Sequence, residues 1–185
     1  ASLLILRDGD DYLLQLSADI QPAIQKRLSM YVLRSKTKAS DAGAELALFG
    51  IAGPLAAEKI QSALHVQTGA AMTVQQGDGF QLLSLGANRF ELIVPQIHVN
   101  AITHRLIEAG CTAGDANAWR LAEIRAGIAW ITHATQEAFV AQMANLDLTG
   151  AVSFNKGCYT GQEIIARTQY LGKLKRRMYR ARINA

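Results

Sequence analysis

An α+β fold, a sheet with helices on one face, is predicted by three features of this 185-residue sequence. Short strand-like apolar runs gather in its first 110 positions, and two pairs of them flank turn-rich segments that read as hairpins. Three stretches with helical apolar spacing cross among those strands. Half of the residues are apolar, 18% are charged and 6% aromatic, a balance that favours a folded chain and excludes disorder or collagen-like repetition. A chain of this size buries about 70% of the surface it exposes unfolded, enough for one sizeable core or two small ones.

Leu3 to Arg7 and Tyr12 to Leu16 are predicted to pair across Asp8-Gly9-Asp10-Asp11. Asp19 stands where an N-cap would, Pro22 falls in a first turn that tolerates it, and Ile20, Ile24, Leu28, Tyr31 and Val32 recur at helical spacing. Leu46, Leu48 and Phe49 form a strand ending at Gly50. Gly53-Pro54 then opens a second helix with Ala56, Ile60, Ala63 and Leu64 on one stripe. Phe80 to Leu85 and Phe90 to Val94 flank Gly86-Ala87-Asn88-Arg89, the clearest hairpin signal, and Met72 to Val74 adds a strand. His98, Ile102, Leu106 and Ala109 mark a third helix that Gly110 stops.

After Cys111 the character changes, which suggests a division into residues 1–110, a sheet-and-helix domain, and 111–185, a helical segment with a basic tail. Asp115 can cap a helix carrying Trp119, Leu121, Ala122 and Ile124, and Thr135 another carrying Phe139, Met143 and Leu146. The net charge is +4, yet seven of the nineteen basic residues are Arg167, Lys173, Lys175, Arg176, Arg177, Arg180 and Arg182. The other twelve face fifteen acids, so the basicity belongs to the C-terminal stretch. Lys173 to Arg182, interleaved with Leu174, Met178 and Tyr179, reads as a solvated face, or as a groove for phosphates, polyglutamyl tails or weak tRNA contact. Two cysteines cannot build a disulfide framework, and no apolar run reaches membrane-spanning length, so a cytoplasmic protein without membrane attachment is expected. His65, His98, His104 and His133 have no partner at metal-ligand spacing, and phosphate-loop, dinucleotide and Gly-x-Ser-x-Gly patterns are missing.

Chemistry concentrates in Lys156-Gly157-Cys158-Tyr159-Thr160-Gly161-Gln162-Glu163. Two glycines let the backbone turn tightly or approach a ligand before Ile164 to Arg167 resumes as a helix. Thr160 with Glu163 makes a capping-box pattern. That places Cys158 just before a helix N-terminus and two residues from Lys156, both of which favour a thiolate. The spacing alone leaves open that Cys158 is a small buried apolar residue and the glycines only shape a loop.

This octapeptide resembles the K-G-C-Y-x-G-Q-E signature of the YgfZ family of folate-binding proteins, relatives of the T-protein aminomethyltransferase of glycine cleavage. Trp119 to Gly127 and the Phe139 to Leu146 stretch look like two further family blocks. The resemblance implies a T-protein-like fold around a central folate cleft. It implies a tetrahydrofolate-binding accessory protein that supports maturation or repair of iron–sulfur enzymes, including those that thiolate tRNA, and not necessarily an enzyme itself. Family members usually carry a further N-terminal segment and a small C-terminal β-barrel, so the chain is expected to be a central fragment without that barrel.

By the same resemblance Cys158 is the functional thiol. Lys156, Gly157, Tyr159, Gly161, Gln162 and Glu163 complete its motif, and Trp119 stacks on the folate. The residue-level alternative for Trp119 is a side chain that fills the apolar side of its helix. Arg125 departs from the pattern, because T-protein relatives have a carboxylate there that accepts hydrogen bonds from the pterin edge, whereas a guanidinium only donates. Either Arg125 then faces the glutamate tail or another anion, or the pterin is oriented differently here, or Arg125 is an ordinary surface arginine. This departure argues against the alternative function, a tetrahydrofolate-dependent aminomethyl or one-carbon transferase. Ala141 replaces the family's proline before Gln142, which relaxes the loop without removing a reactive group.

Overall fold

The computed structural model describes residues 1–172 and 174–183. Its mixture of antiparallel sheets and helices is α+β. Two compact units divide it, and they do not follow the change in sequence character at residue 110: one comprises Ala1–Ala39 with the chain from Glu123 onward, the other Ser40–Ala122.

In the Ser40–Ala122 unit, four strands, β3 (Leu46–Ala52), β4 (Thr73–Gly77), β5 (Phe80–Gly86) and β6 (Arg89–Pro95), form an antiparallel sheet in the order β3-β6-β5-β4. Side chains alternate across a sheet. Phe80, Leu82, Phe90, Leu92 and Val94 therefore share one face, where they meet Ala56, Ile60, Ala63 and Leu64 of α2 (Ala56–Leu64) and Ile102 and Leu106 of α3 (Val99–Glu108). Phe49 and Ile51 of β3 pack against the same core, so Leu48, Gly50 and Ala52 face the other way. Ile60, Leu82 and Leu92 are fully buried, each contributing about 1.5–3 kcal/mol of transfer free energy.

The predicted stripe of α2 is its buried stripe. Gly110 stops the third helix as expected, in the left-handed conformation at φ +84°. The β5–β6 turn is made by Ala87 and Asn88, both at positive φ, which matches the right-handed twist of a hairpin. Between α2 and α3, Arg105 Nε donates to the Ala63 carbonyl at 2.8 Å and satisfies one acceptor at the end of α2. His98 is half-buried, with its ring over Gly79, where any Cβ would collide with it.

The other unit begins with the predicted hairpin, β1 (Leu4–Asp8) and β2 (Asp11–Gln15), closed by Gly9 and Asp10. A 3₁₀ turn (Ala18–Ile20) leads into α1 (Gln21–Ser29), with Pro22 in its first turn. Asp19 is not the cap of this helix. Its carboxylate accepts the backbone N–H of His133 at 2.8 Å, and that bond foremost holds the Asp19 carboxyl below its ordinary pKa. The expected helix from Thr135 through Leu146 does not form. Gln136 is extended and Glu137 lies at φ +62°, which breaks any helical run, so two 3₁₀ turns (His133–Thr135 and Ala141–Ala144) stand in its place. Thr132 and Thr135 cap the first of these turns reciprocally. No helix among the described residues is long and apolar enough to cross a membrane.

Candidate functional site

The signature segment lies on a loop ahead of α5 (Gln162–Tyr170). Cys158 is a free, exposed cysteine, whereas Cys111 is half-buried beside the sheet core. The loop is braced from within. Tyr159 N–H donates to Gln162 Oε1 at 3.2 Å, and Gln162 N–H donates back to the Tyr159 carbonyl at 3.2 Å. Lys156 Nζ stands 4.2 Å from the centre of the Tyr159 ring, a cation–π contact. Lys156, Tyr159 and Gln162 therefore act as one framework, and Cys158 projects from it.

Thr160 is not the helix cap. Gly161 is, at φ +88°, a conformation that a side chain would strain, and no side chain caps the first turn. Glu163 sits in that first turn, where its charge complements the helix N-terminus. Gly157 differs from Gly161: its φ is not positive and an added Cβ would meet nothing within 4 Å. Space and backbone therefore do not require glycine at 157.

The Phe139 to Leu146 block holds this element in place, a role that sequence reasoning missed. Gln142, 1% exposed, donates through Nε2 to the Ile165 carbonyl of α5 at 2.8 Å. Asn145 Nδ2 donates to the Met178 carbonyl at 3.0 Å, and Met178 N–H to the Met143 carbonyl at 2.9 Å. Arg177 makes a bidentate pair with Asp147, at 3.0 and 2.9 Å, and also reaches Asn145 Oδ1. The chain after α5 is thus fastened to the 3₁₀ turn beneath it. The signal available in the sequence was the pair of amides, Gln142 and Asn145, in an otherwise apolar stretch.

The guanidinium hydrogen bonds of Arg177 foremost, aided by its charge and opposed by burial, hold the Asp147 carboxyl below its ordinary value of 3.8. A depressed folded pKa means that the stabilisation is complete above that ordinary value and is lost as pH falls through the folded one. Acid titration of the folded state should therefore weaken the fastening only below about pH 4. Asp147→Asn should lower the urea midpoint at neutral pH and reduce its fall between neutral and acid pH. An unaltered pH profile would contradict this assignment.

Trp119 and Arg125 belong to α4 (Ala116–Ala126), which Asp115 caps as expected through N–H bonds from Asn117 and Ala118 at 3.0 and 2.9 Å. Trp119 is half-buried in the Ser40–Ala122 unit, with its indole laid against Gly50 of β3 on the sheet face opposite α2 and α3. A Cβ at residue 50 would fall inside the indole, so glycine there is the seat of this ring. Arg125, six residues on, is exposed, and its carbonyl accepts from Arg180 Nη1 at 3.3 Å. Six residues turn an α-helix by about 240°, so Trp119 and Arg125 point to different sides of α4. The nearest acid in this block, Glu123, accepts the Trp130 Nε1–H at 2.6 Å. Glu163, Ala166, Arg167, Tyr170 and Leu171 form one stripe along α5. Among the described residues no three histidines, cysteines or acids cluster as metal ligands.

No family model matches the chain. It is similar to curated proteins named tRNA-modifying protein YgfZ. That of Sodalis glossinidius is 36% identical over 154 residues, 82% of this chain and 46% of the relative. Those of Colwellia psychrerythraea and Pectobacterium carotovorum are 33% and 31% identical over 95% and 97% of this chain, and over 53% and 54% of the relatives. The chain spans about half the length of these relatives. With that similarity running through nearly all of its own residues and the signature segment among them, the chain belongs to the YgfZ family.

Proposed function

We propose that this chain is the folate-binding part of a cytoplasmic accessory protein that supports maturation or repair of iron–sulfur enzymes, and through them tRNA modification, with Cys158 as its functional thiol. The observation that carries the reading is the exposure of Cys158 on a loop braced by its own motif neighbours. A thiol used only for packing has no reason to stand in solvent beside two glycines and a lysine. The names of the relatives support the tRNA side of the reading. The T-protein-like fold is part of the same proposal.

The residues present fit a folate in one respect: the half-buried indole of Trp119, seated on Gly50, offers an apolar face to a flat pterin. Arg125 cannot accept from the amino-pyrimidine edge, so that acceptor must come from elsewhere. When bound, a tetrahydrofolate would supply one-carbon carrying capacity. The residues of this chain do no more than hold it and present a thiol.

Tetrahydrofolate titration followed by tryptophan fluorescence tests the binding half. Trp119→Ala is expected to weaken affinity by about tenfold or more, the order of a lost stacking contact, while Trp130 continues to report folding. Equal affinity in both proteins would remove Trp119 from the site. Release of 5,10-methylenetetrahydrofolate from a glycine-derived donor would instead favour the transferase.

A further inference from the structure

From Ile164 onward the sequence contains no aspartate or glutamate, yet carries seven basic residues. Lys173 lies outside the described residues. Of the rest, Arg177 is engaged by Asp147 and Asn145 and serves the fold. Arg167, Lys175, Arg176, Arg180 and Arg182 are exposed, and among the described residues no carboxylate pairs with any of them.

All of these but Arg167, which lies on α5, belong to the following tail, and that tail is pinned. Arg177 and Met178 fasten it inward, while Lys175, Arg176, Tyr179, Arg180 and Arg182 stay outward. Two tyrosines stand among these charges: Tyr170 is 69% exposed and Tyr179 84%. The Tyr170 ring is not loose. Phe154 meets it edge to face, with centroids 6.1 Å apart and planes at 73°, and it shares one stripe of α5 with Arg167. Exposed cations along this stretch, with Arg167 one helical turn from a held, solvent-facing aromatic ring, match what a single strand offers, a line of phosphates and unstacked bases. A merely solvated basic face has no need of a braced, exposed tyrosine.

We infer that Arg167, Tyr170, Lys175, Arg176, Tyr179 and Arg182 form a contact surface for single-stranded RNA, such as a loop or end of a folded RNA. The cations follow the backbone and the two tyrosines stack on bases. The choice of RNA rests on the tRNA-modification reading above; the surface itself rests on charge and ring placement.

The test measures retention of a labelled oligouridylate by the full chain across about 50 to 200 mM salt, with duplex RNA and poly-glutamate as comparison probes. Retention of oligouridylate is expected to fall linearly on logarithmic axes and to exceed that of the duplex. The triple variant Lys175→Gln, Arg176→Gln, Arg182→Gln should flatten the slope by about two, at roughly 0.7 per phosphate contact on a single strand. Tyr170→Ala should weaken binding about 5- to 150-fold, the range for one stacked base, and Tyr170→Phe should retain it. Tyr179→Ala carries the same arm should Tyr170→Ala fail to fold. No retention at low salt, equal capture of poly-glutamate, or an unchanged slope in the triple variant would overturn the surface. Tetrahydrofolate titration of the unaltered chain separates the two proposals: folate binding without RNA retention defeats this surface alone, and RNA retention without folate binding defeats the folate reading alone.

Discussion

Under the proposed function, Cys158→Ala is expected to abolish rescue of iron–sulfur enzyme activity in cells lacking the natural protein, when carried in the full-length polypeptide, while leaving stability unchanged within about 0.5 kcal/mol. The two halves of this expectation come from the same observation. Cys158 is exposed, and the bracing contacts of its loop run between Lys156, Tyr159 and Gln162, so removing the sulfur creates no cavity and breaks none of them. A loss of rescue then reports on the thiol itself and not on folding. Matched urea midpoints with undiminished rescue would take the functional role away from Cys158. Gln162→Leu offers the complementary case, because it removes the acceptor of the Tyr159 N–H and should loosen the loop with the thiol still present.

Gly50→Val is expected to destabilise the protein by about 1–3 kcal/mol through overpacking. Valine is a favourable strand residue and the φ at residue 50 is not positive, so backbone propensity alone would predict a neutral or stabilising change. The indole of Trp119 decides the sign, since the new Cβ would occupy its place and either β3 or the ring must move. Urea melts and the tryptophan emission of the variant check this, and under the folate proposal its tetrahydrofolate affinity should fall as well. An unaltered midpoint and emission would mean that the indole is not seated on Gly50.

Much of the architecture was legible because it is written in periodicity. The stripe of α2, the β5–β6 hairpin, the stop at Gly110 and the Asp115 cap each depend on residues within one turn or one strand of each other. What was misread depends on distant partners. Asp19 looks like a cap locally, but His133, 114 positions away, offers it an N–H. Thr160 and Glu163 spell a capping box, yet Gly161 takes the left-handed conformation that ends the loop, and that choice belongs to the whole turn. The helix expected from Thr135 fails at Glu137, where nothing in apolar spacing signals a positive φ.

The site divides in the same way. The motif residues Lys156, Tyr159 and Gln162 are brought together by adjacency, so their grouping could be seen in the sequence. The support of α5 by Gln142 and of the tail by Asn145 and Asp147 crosses between 23 and 33 positions, and no local pattern announces it. The seat of Trp119 on Gly50 is longer-range still. The glycine had read only as the end of a strand.

Thiol titration with a chromogenic disulfide reagent addresses the accessible sulfur most directly. In the native protein one thiol should react rapidly, that phase should vanish in Cys158→Ala, and the second thiol, Cys111, should react slowly until denaturant is added. Two slow phases of equal amplitude, with neither removed by Cys158→Ala before unfolding, would contradict it.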